Sequence, residues 1–320
     1  MGNCGDEIQN TMQAIIFTEA GSSFGLGHLS RCEALKDYLE NAGFEVDICC
    51  RGDYLPPIEW ISDDYKNLDE MINNKLVVVD SYYASKELCE YISKKAKVCV
   101  FFDDFNRIEY PADSIILNGG LLGDRFYGSD IKNEIFAGIE YYVLRKEFRQ
   151  REPKTINRDI GRILITLGGN DYANNTQSIL EIMERECPYA MIDVVLGNIH
   201  KPISYNFQTS MHKNISPRIL KNLMLDCDLA ISGGGVTMIE LQSTCTPTIA
   251  MQIAPNQAYQ LRVWQKEGLR IATNIYQIKG LLKTLRKFKD RRKLSNKLAK
   301  VEIGSRVNEF INTLITKYNA

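Results

Sequence analysis

Short apolar runs alternate with helix-spaced stretches along nearly the whole chain. The run "AIIFTEA" (14–20) leads into "HLSRCEALKDYLENAG", where Leu29, Cys32, Leu35 and Leu39 recur at helical spacing and Gly43 is placed to cap the C-terminus. "FEVDICC", "KLVVVDSYY", "KVCVFFDD" and "SIILN" follow as strands of buried type, with "SKELCEYISKKA" as a helix between two of them. Strands that are apolar throughout and separated by helices predict a parallel sheet covered on both faces. The pattern lapses in "RQREPKTINRD" (149–159), which is charged, holds a proline and has no apolar period. It then restarts: "RILITLGG", the helix "NNTQSILEIMERE", "MIDVVLG", the helix "SPRILKNLMLDC", "DLAISGGG", the helix "TMIELQSTC", "TPTIAMQI", "NQAYQLRVWQKEG" and a helical tail. The expected organisation is a polar tail over residues 1–12, one α/β domain over 13–152 and a second over 153–320. No short-period repeat is present, which excludes a solenoid.

Composition adds limits rather than a function. A length of 320 residues suits two domains, and 44% hydrophobic with 25% charged residues is ordinary for a globular protein. Lys and Arg (39) balance Asp and Glu (40), so no global field draws nucleic acid, and a charged ligand must be met locally. Nine cysteines without a CxxC pair imply reduced, packed thiols and a cytoplasmic compartment. No run of about 18 apolar residues predicts a membrane span. The opening "MGNC" resembles a lipidation site, but Asp6 stands where that motif needs Ser or Thr, so a disordered polar tail is expected.

Ligands of open parallel sheets bind beyond the carboxyl ends of the strands. The residues that count are therefore Gly25 to His28, Asp80 to Tyr82, and Asp103 with Asp104; then Gly168 to Asp171, Ser232 to Thr237, and Ala254 to Gln257. "GLGHLS" lacks the third glycine of a dinucleotide fingerprint, Ser30 replacing it, so a NAD site is not expected. "TLGGNDYANN" and "SGGGVTMIE" each follow a strand and open a helix, an arrangement that suits a diphosphate held by backbone N–H groups. Glu240 lies about one turn into the second of these helices, where a carboxylate can accept bonds from ribose hydroxyls.

The pieces "GLGHLSRC", "VVVDSYY" with "FFDD", "GIEYYVLRKEF", "ILITLGGND", "DVVLG", "DLAISGGGVTMIEL" and "TPTIAMQIAPNQ", in this order and spacing, resemble the nucleotide-sugar hydrolases of pseudaminic acid biosynthesis. The related spore-coat polysaccharide proteins share them, and both groups are similar to MurG-type glycosyltransferases of GT-B fold. The resemblance implies an α/β, GT-B-like fold of two Rossmann-like parallel-sheet domains facing a central cleft, the first holding the sugar and the second UDP. It implies His28 as general base, Tyr82 and Asn256 near the reacting sugar, and Gly25, Gly27, Arg31, Asp80 and Asp104 lining the first half of the site. For the nucleotide it implies Gly168, Gly169, Asn170, Ser232, Gly233, Gly234, Gly235, Thr237, Glu240 and Gln257. Phe17 and Glu19 stand where the family commonly carries Arg and Asp, and Pro255 where Asp is usual, which leaves the sugar's configuration open.

His28 opens a predicted helix, whose positive dipole end favours a neutral ring able to take a proton from water. Hydrolysis of a UDP-linked diacetamido-trideoxy sugar with inversion is the expected reaction. The alternative is a glycosyltransferase of surface polysaccharide synthesis on the same scaffold. No metal or other cofactor is expected, since "DCD" (Asp226 to Asp228) reads as turn chemistry on the far edge, whereas Asp103 and Asp104 stand at the ligand edge. His200 and His212 read as surface residues. A cationic helix face is predicted from Lys279, Lys283, Arg286, Lys287, Lys289, Arg291, Arg292, Lys293, Lys297 and Lys300, set against Asp290 and lying over Leu281, Leu282, Leu285 and Phe288. A solvated surface is the favoured reading of that face, and contact with anionic lipid or an acidic partner the sharper one. A monomer with a UDP-sugar as its partner and no nucleic acid is expected.

Overall fold

The computed structural model describes residues 11–320 apart from Ser23, 54–57, Asp63, 169–170, 172–173, 198–201 and Phe207. The "MGNC" tail, Gly169, Asn170 and His200 therefore lie outside the described residues. The first half runs β1 (Met12–Ala20), α1 (Gly27–Asn41), β2 (Phe44–Gly52), α2 (Asp69–Ile72), β3 (Leu76–Val79), α3 (Lys86–Lys95), β4 (Val98–Phe102), β5 (Ile115–Asn118), β6 (Glu134–Ala137) and α4 (Lys146–Arg149). The second runs β7 (Arg162–Thr166), α5 (Asn175–Glu186), β8 (Met191–Leu196), β9 (Thr209–Lys213), α6 (Pro217–Asp226), β10 (Leu229–Gly233), α7 (Val236–Ser243), β11 (Thr248–Met251), α8 (Ala258–Lys266) and β12 (Arg270–Ala272). Three helices follow: α9 (Ile278–Leu285), α10 (Phe288–Leu298) and α11 (Val307–Asn319).

Among the described residues the strands form two six-stranded sheets, in the orders β2-β1-β3-β4-β5-β6 and β12-β11-β10-β7-β8-β9, with every pairing parallel. Each order has one point where the chain reverses its direction of growth: between β1 and β3 in the first sheet, between β7 and β10 in the second. Loops leaving the two strands at such a point diverge to opposite faces and open a crevice. The loops that matter are thus those after β1, β3, β7 and β10, which carry His28, Asp80, Gly168 and Gly233.

The apolar runs are buried as their patterns require. Leu29, Cys32, Leu35 and Leu39 of α1 are all buried, and Ala14 and Ile16 pack against one face of the first sheet's core, Ile15 and Phe17 against the other. Gly43 has φ +92°, the left-handed conformation needed just past the end of α1. β6, β9 and β12 were not among the strands expected. They are edge or near-edge strands of three to five residues, too short to show a period.

The domain division expected at residue 152 is crossed twice. Leu144 and Phe148, on and beside α4, belong to the second sheet's core. Conversely α11 returns to the first sheet, where Val307, Phe310, Ile311 and Leu314 are buried against Ala14, Val98 and Phe136. Helical periodicity shows that α11 has an apolar face but not which sheet covers it. The charged connector is pinned rather than loose: Lys154 Nζ donates to the carbonyls of Met224, Leu225 and Cys227 at the end of α6. Arg291, expected on the cationic face, is fully buried and donates to the carbonyls of Leu285, Arg286, Asn157 and Arg158. Lys279 and Arg286 pair with Glu186, and Lys297 with Glu267, so part of the remaining charge is met internally. No helix among the described residues is long and apolar enough to cross a membrane.

Gly233 ends β10 in a space that admits no side chain. A Cβ there would stand 2.6 Å from the carbonyl oxygen of Leu167 and 2.7 Å from Ile253 Cδ1. Gly233→Ala is expected to destabilise the protein by about 1–3 kcal/mol through overpacking, read as a lower urea midpoint with an unchanged slope.

Candidate functional site

The cleft is built where the two switch points face each other. The N-terminus of α1 meets that of α7: a Cβ on Gly27 would lie 3.8 Å from Val236 Cγ2. On the first-sheet side the chain leaves β1, closes a loop through paired Gly21 and Gly25 hydrogen bonds (3.0 and 2.7 Å), and enters α1. Gly25 has φ +74°, which suits a residue without Cβ. This loop delivers His28 to the second position of α1.

His28 Nδ1 stands 2.6 Å from Oδ1 of Asp80, the residue that follows β3. Asp80 is fully buried and can only accept. Arg31 Nη2 also approaches Nδ1, at 3.2 Å, but the shorter Asp80 contact dominates and puts the proton on Nδ1, which leaves Nε2 as the basic nitrogen, with no hydrogen-bond partner among the described residues. Arg31, one turn further along α1, forks onto the same carboxylate, with Nε and Nη2 each 2.6 Å from an oxygen. Its Nη1 reaches Asp104 at 2.8 Å. Tyr82 donates its hydroxyl to Asp104 at 2.5 Å and lays its ring edge-on to His28, 4.7 Å between centroids. Burial works against both carboxylates, but the Arg31 guanidinium outweighs it and holds Asp80 and Asp104 below the usual range. Burial, followed by the Asp104 charge, pushes the Tyr82 phenol above its ordinary value, so Tyr82 is a hydrogen-bonding wall and not an acid. The expected residues Gly25, Gly27, His28, Arg31, Asp80, Tyr82 and Asp104 thus form one connected group.

Asp103 does not join them. Its carboxylate accepts from the backbone N–H groups of Asn106 and Arg107 and from the hydroxyls of Tyr110 and Tyr127, which folds the loop after β4 and leaves nothing for a sugar.

The second sheet contributes backbone. Gly168 follows β7 with φ +96° and open space where a Cβ would stand. Gly234 and Gly235 lead from β10 into α7, which starts at Val236 with no side-chain cap and no acid in its first turn. The first N–H groups of a helix have no partner within it, and here they open on the cleft with Thr237 among them. The Ser232 side chain is fully buried and donates to the Gly233 carbonyl, so only its backbone is offered. After β11, Gln257 spends its side-chain oxygen on the N–H groups of Ile253 and Ala254, while Asn256 is exposed on the same turn.

Glu240 is neither solvated nor isolated. It is 1% exposed, and Arg145, just ahead of α4, holds both its oxygens, Nε at 2.6 Å and Nη2 at 2.8 Å. Burial pushes the Glu240 carboxyl up against the pull of Arg145. Each carboxylate oxygen keeps a second lone-pair direction for another donor. Sequence reasoning missed Arg145, 95 residues from its partner. The available signal was slight, Arg145 being the first of three charges that follow the apolar "YYVL" run.

No metal site emerges among the described residues from grouped His, Cys, Asp or Glu. Asp228 of "DCD" is buried and accepts from Asn157 and from the N–H groups of Gly161 and Arg162, a turn-closing role. His212 is half-buried against Asp193 at 2.7 Å rather than a free surface group.

No family model matches the chain. It is 26% identical over 271 residues, 84% of this chain and 50% of the other, to a Helicobacter pylori protein named pseudaminic acid cytidylyltransferase and UDP-2,4-diacetamido-2,4,6-trideoxy-beta-L-altropyranose hydrolase. It is 23% identical over 288 residues, 80% of this chain and 82% of the other, to the Bacillus subtilis spore coat polysaccharide biosynthesis protein SpsG. The chain thus spans about half the length of the Helicobacter relative. Among solved structures, Acinetobacter baumannii MurG superposes with a TM-score of 0.63 at 10% identity, covering 95% of this chain and 99% of that one. The two facing sheets are a GT-B fold.

Proposed function

We propose that this GT-B-fold chain, similar to nucleotide-sugar hydrolases, cleaves a UDP-linked diacetamido-trideoxy sugar to free sugar and UDP, with His28 as general base. The observation that carries the proposal is the His28–Asp80 contact. A carboxylate that can only accept favours the Nδ1–H tautomer and leaves Nε2 basic and unpartnered among the described residues, as a ring must be held if it is to deprotonate water.

The atoms balance simply. A water oxygen bonds to the anomeric carbon while its proton passes to Nε2. The bond from that carbon to the β-phosphate oxygen breaks on the opposite face, and its electron pair leaves with UDP. His28 then loses the proton to solvent, and the configuration inverts. The negative charge that grows on the diphosphate is met by the uncapped N–H groups where β10 enters α7, assisted by that helix's dipole. The expected role of Glu240 as acceptor for the ribose hydroxyls is retained in this proposal, with Arg145 bracing it, and because its side chain is 1% exposed the ribose must displace part of its cover on binding. The expected role of Asn256 beside the sugar is retained in this proposal. The similarity to a hydrolase and to a spore-coat polysaccharide protein supports a nucleotide-sugar substrate, and the GT-B fold suits the hydrolase name of the Helicobacter relative better than the cytidylyltransferase one.

The test is an NMR time course with UDP-2,4-diacetamido-2,4,6-trideoxy-β-L-altropyranose and no added acceptor or metal. Release of UDP together with the opposite anomer of the free sugar is expected. UDP release only when a sugar or lipid acceptor is supplied would replace this reading with the glycosyltransferase one, in which Nε2 deprotonates an acceptor hydroxyl. The Arg145 brace has its own check. Arg145→Lys keeps the charge but loses the two-pronged grip, so UDP binding measured by calorimetry should weaken roughly tenfold.

A further inference from the structure

A second cluster at the same edge of the first sheet is not used by this chemistry. β1 and β2 pair in register with Glu19 opposite Arg51, so both side chains stand at the carboxyl ends of their strands. The Arg51 guanidinium carbon lies 5.4 Å from the centre of the Phe24 ring and 5.7 Å from that of Tyr83, and the two rings meet edge to face at 5.5 Å. Its Nη1 is 3.8 Å from Glu19, beyond hydrogen-bond reach. Its Nε is 3.2 Å from Glu59 but off the N–H direction, and this buried nitrogen has no hydrogen-bond partner among the described residues. A planar five-donor group thus lies against a touching pair of aromatic rings, and none of its donors makes a hydrogen bond among the described residues. The structural Arg291 also leaves its buried Nε unpartnered, but it spends Nη1 and Nη2 on four carbonyls, whereas Arg51 Nη1 and Nη2 make no hydrogen bond among the described residues.

The cluster is continuous with the reacting centre. Glu19 accepts from the Tyr82 N–H at 3.1 Å and from the Ser81 hydroxyl at 3.0 Å, and the Tyr82 ring is the one that edges His28. Phe24 belongs to the loop that delivers His28. What occupies the space must accept hydrogen bonds and carry an apolar part. Two carboxylates already flank the guanidinium, so a third anion would be repelled, whereas a neutral carbonyl oxygen would not. An alkyl group attached to that carbonyl would lie on the rings.

We infer that Arg51, beside the Phe24–Tyr83 ring pair, is a specificity-determining residue that receives an N-acyl substituent of the sugar, its carbonyl on the guanidinium and its alkyl group on the rings. This rests on the nucleotide-sugar reading above.

The test uses calorimetric binding in a His28→Ala background, so that turnover does not consume the ligand. The probes are UDP, the diacetamido UDP-sugar, and the same nucleotide sugar with hydroxyls in place of the acylamino groups. With Arg51 present the acylated sugar should bind about 10- to 100-fold more tightly than the hydroxyl analogue, as expected for a charge-assisted bond. Arg51→Gln should remove most of that preference and leave UDP affinity within about twofold, because UDP is met by the other domain. Arg51→Lys, which keeps charge and bulk, carries the same test if the glutamine variant fails to fold, and should lose the preference several-fold. An unchanged preference in either folded variant, equal loss of UDP binding, or no preference when Arg51 is present would overturn the inference. Preference without hydrolysis by the His28 protein would sink the hydrolase reading and leave this subsite standing.

Discussion

His28→Ala should lower kcat by about 10²–10⁴, the usual contribution of a positioned general base, while UDP affinity stays within about twofold. The separation follows from the architecture: His28 opens α1 of the first domain, and the uncapped N-terminus of α7 belongs to the second. The side chain is 11% exposed and donates to the buried Asp80, which keeps Arg31, so the substitution should lower stability by about 1–3 kcal/mol without unfolding the protein. Initial rates by NMR and calorimetry with UDP, run on both proteins, decide the matter. A fall in UDP binding as large as the fall in rate would show that His28 serves the nucleotide, and a rate that barely changes would remove it from the mechanism.

Asp80→Asn should be worse for the molecule as a whole. The buried carboxylate carries Arg31 on both oxygens and His28 on one, and an amide offers one acceptor and an unwanted pair of donors. A buried ion pair broken from one side typically costs about 3–5 kcal/mol, and the histidine is free to take the wrong tautomer, for a rate loss of about 10²–10⁴. Stability against pH separates the two effects. Arg31 and His28 hold the Asp80 carboxyl below the ordinary value, about 3.9, that it has in the unfolded chain. Its contribution is therefore complete above about pH 4 and is lost as pH falls toward the folded value. Melting temperatures of wild type and Asp80→Asn should differ most near neutrality and converge in acid. A gap that persists undiminished down to pH 3 would show that the loss comes from packing and not from charge.

Much of the frame could be read from the chain because parallel-sheet strands announce themselves. "AIIFTEA", "KLVVVD" and "DLAISGGG" are apolar on both faces, and the residues just past them lie at the ligand edge for topological reasons. Candidate positions His28, Asp80, Gly168 and Gly233 follow from that alone. Pairings across long sequence distances were not legible. Nothing in "VVVDSYY" says that Asp80 accepts from both His28 and Arg31, and nothing near Glu240 points to Arg145. Asp103 and Asp104 are identical in type and adjacent, yet one folds a loop while the other faces Arg31, because successive residues leave a strand in opposite directions. Ser232 can offer only its backbone, because it lies inside β10 with its side chain buried.

The return of α11 to the first sheet sets the order in which the molecule can be assembled. Apart from Leu121, the second sheet's core lies in one continuous stretch, from Ile139 to Ile303. The first domain lacks a layer of its core, Phe310 and Leu314 over Val98 and Phe136, until residues 307–319 have left the ribosome. Domains usually complete in the order in which they are synthesised. Here the second closes first, and the half that carries His28 stays open on one face until the final helix docks.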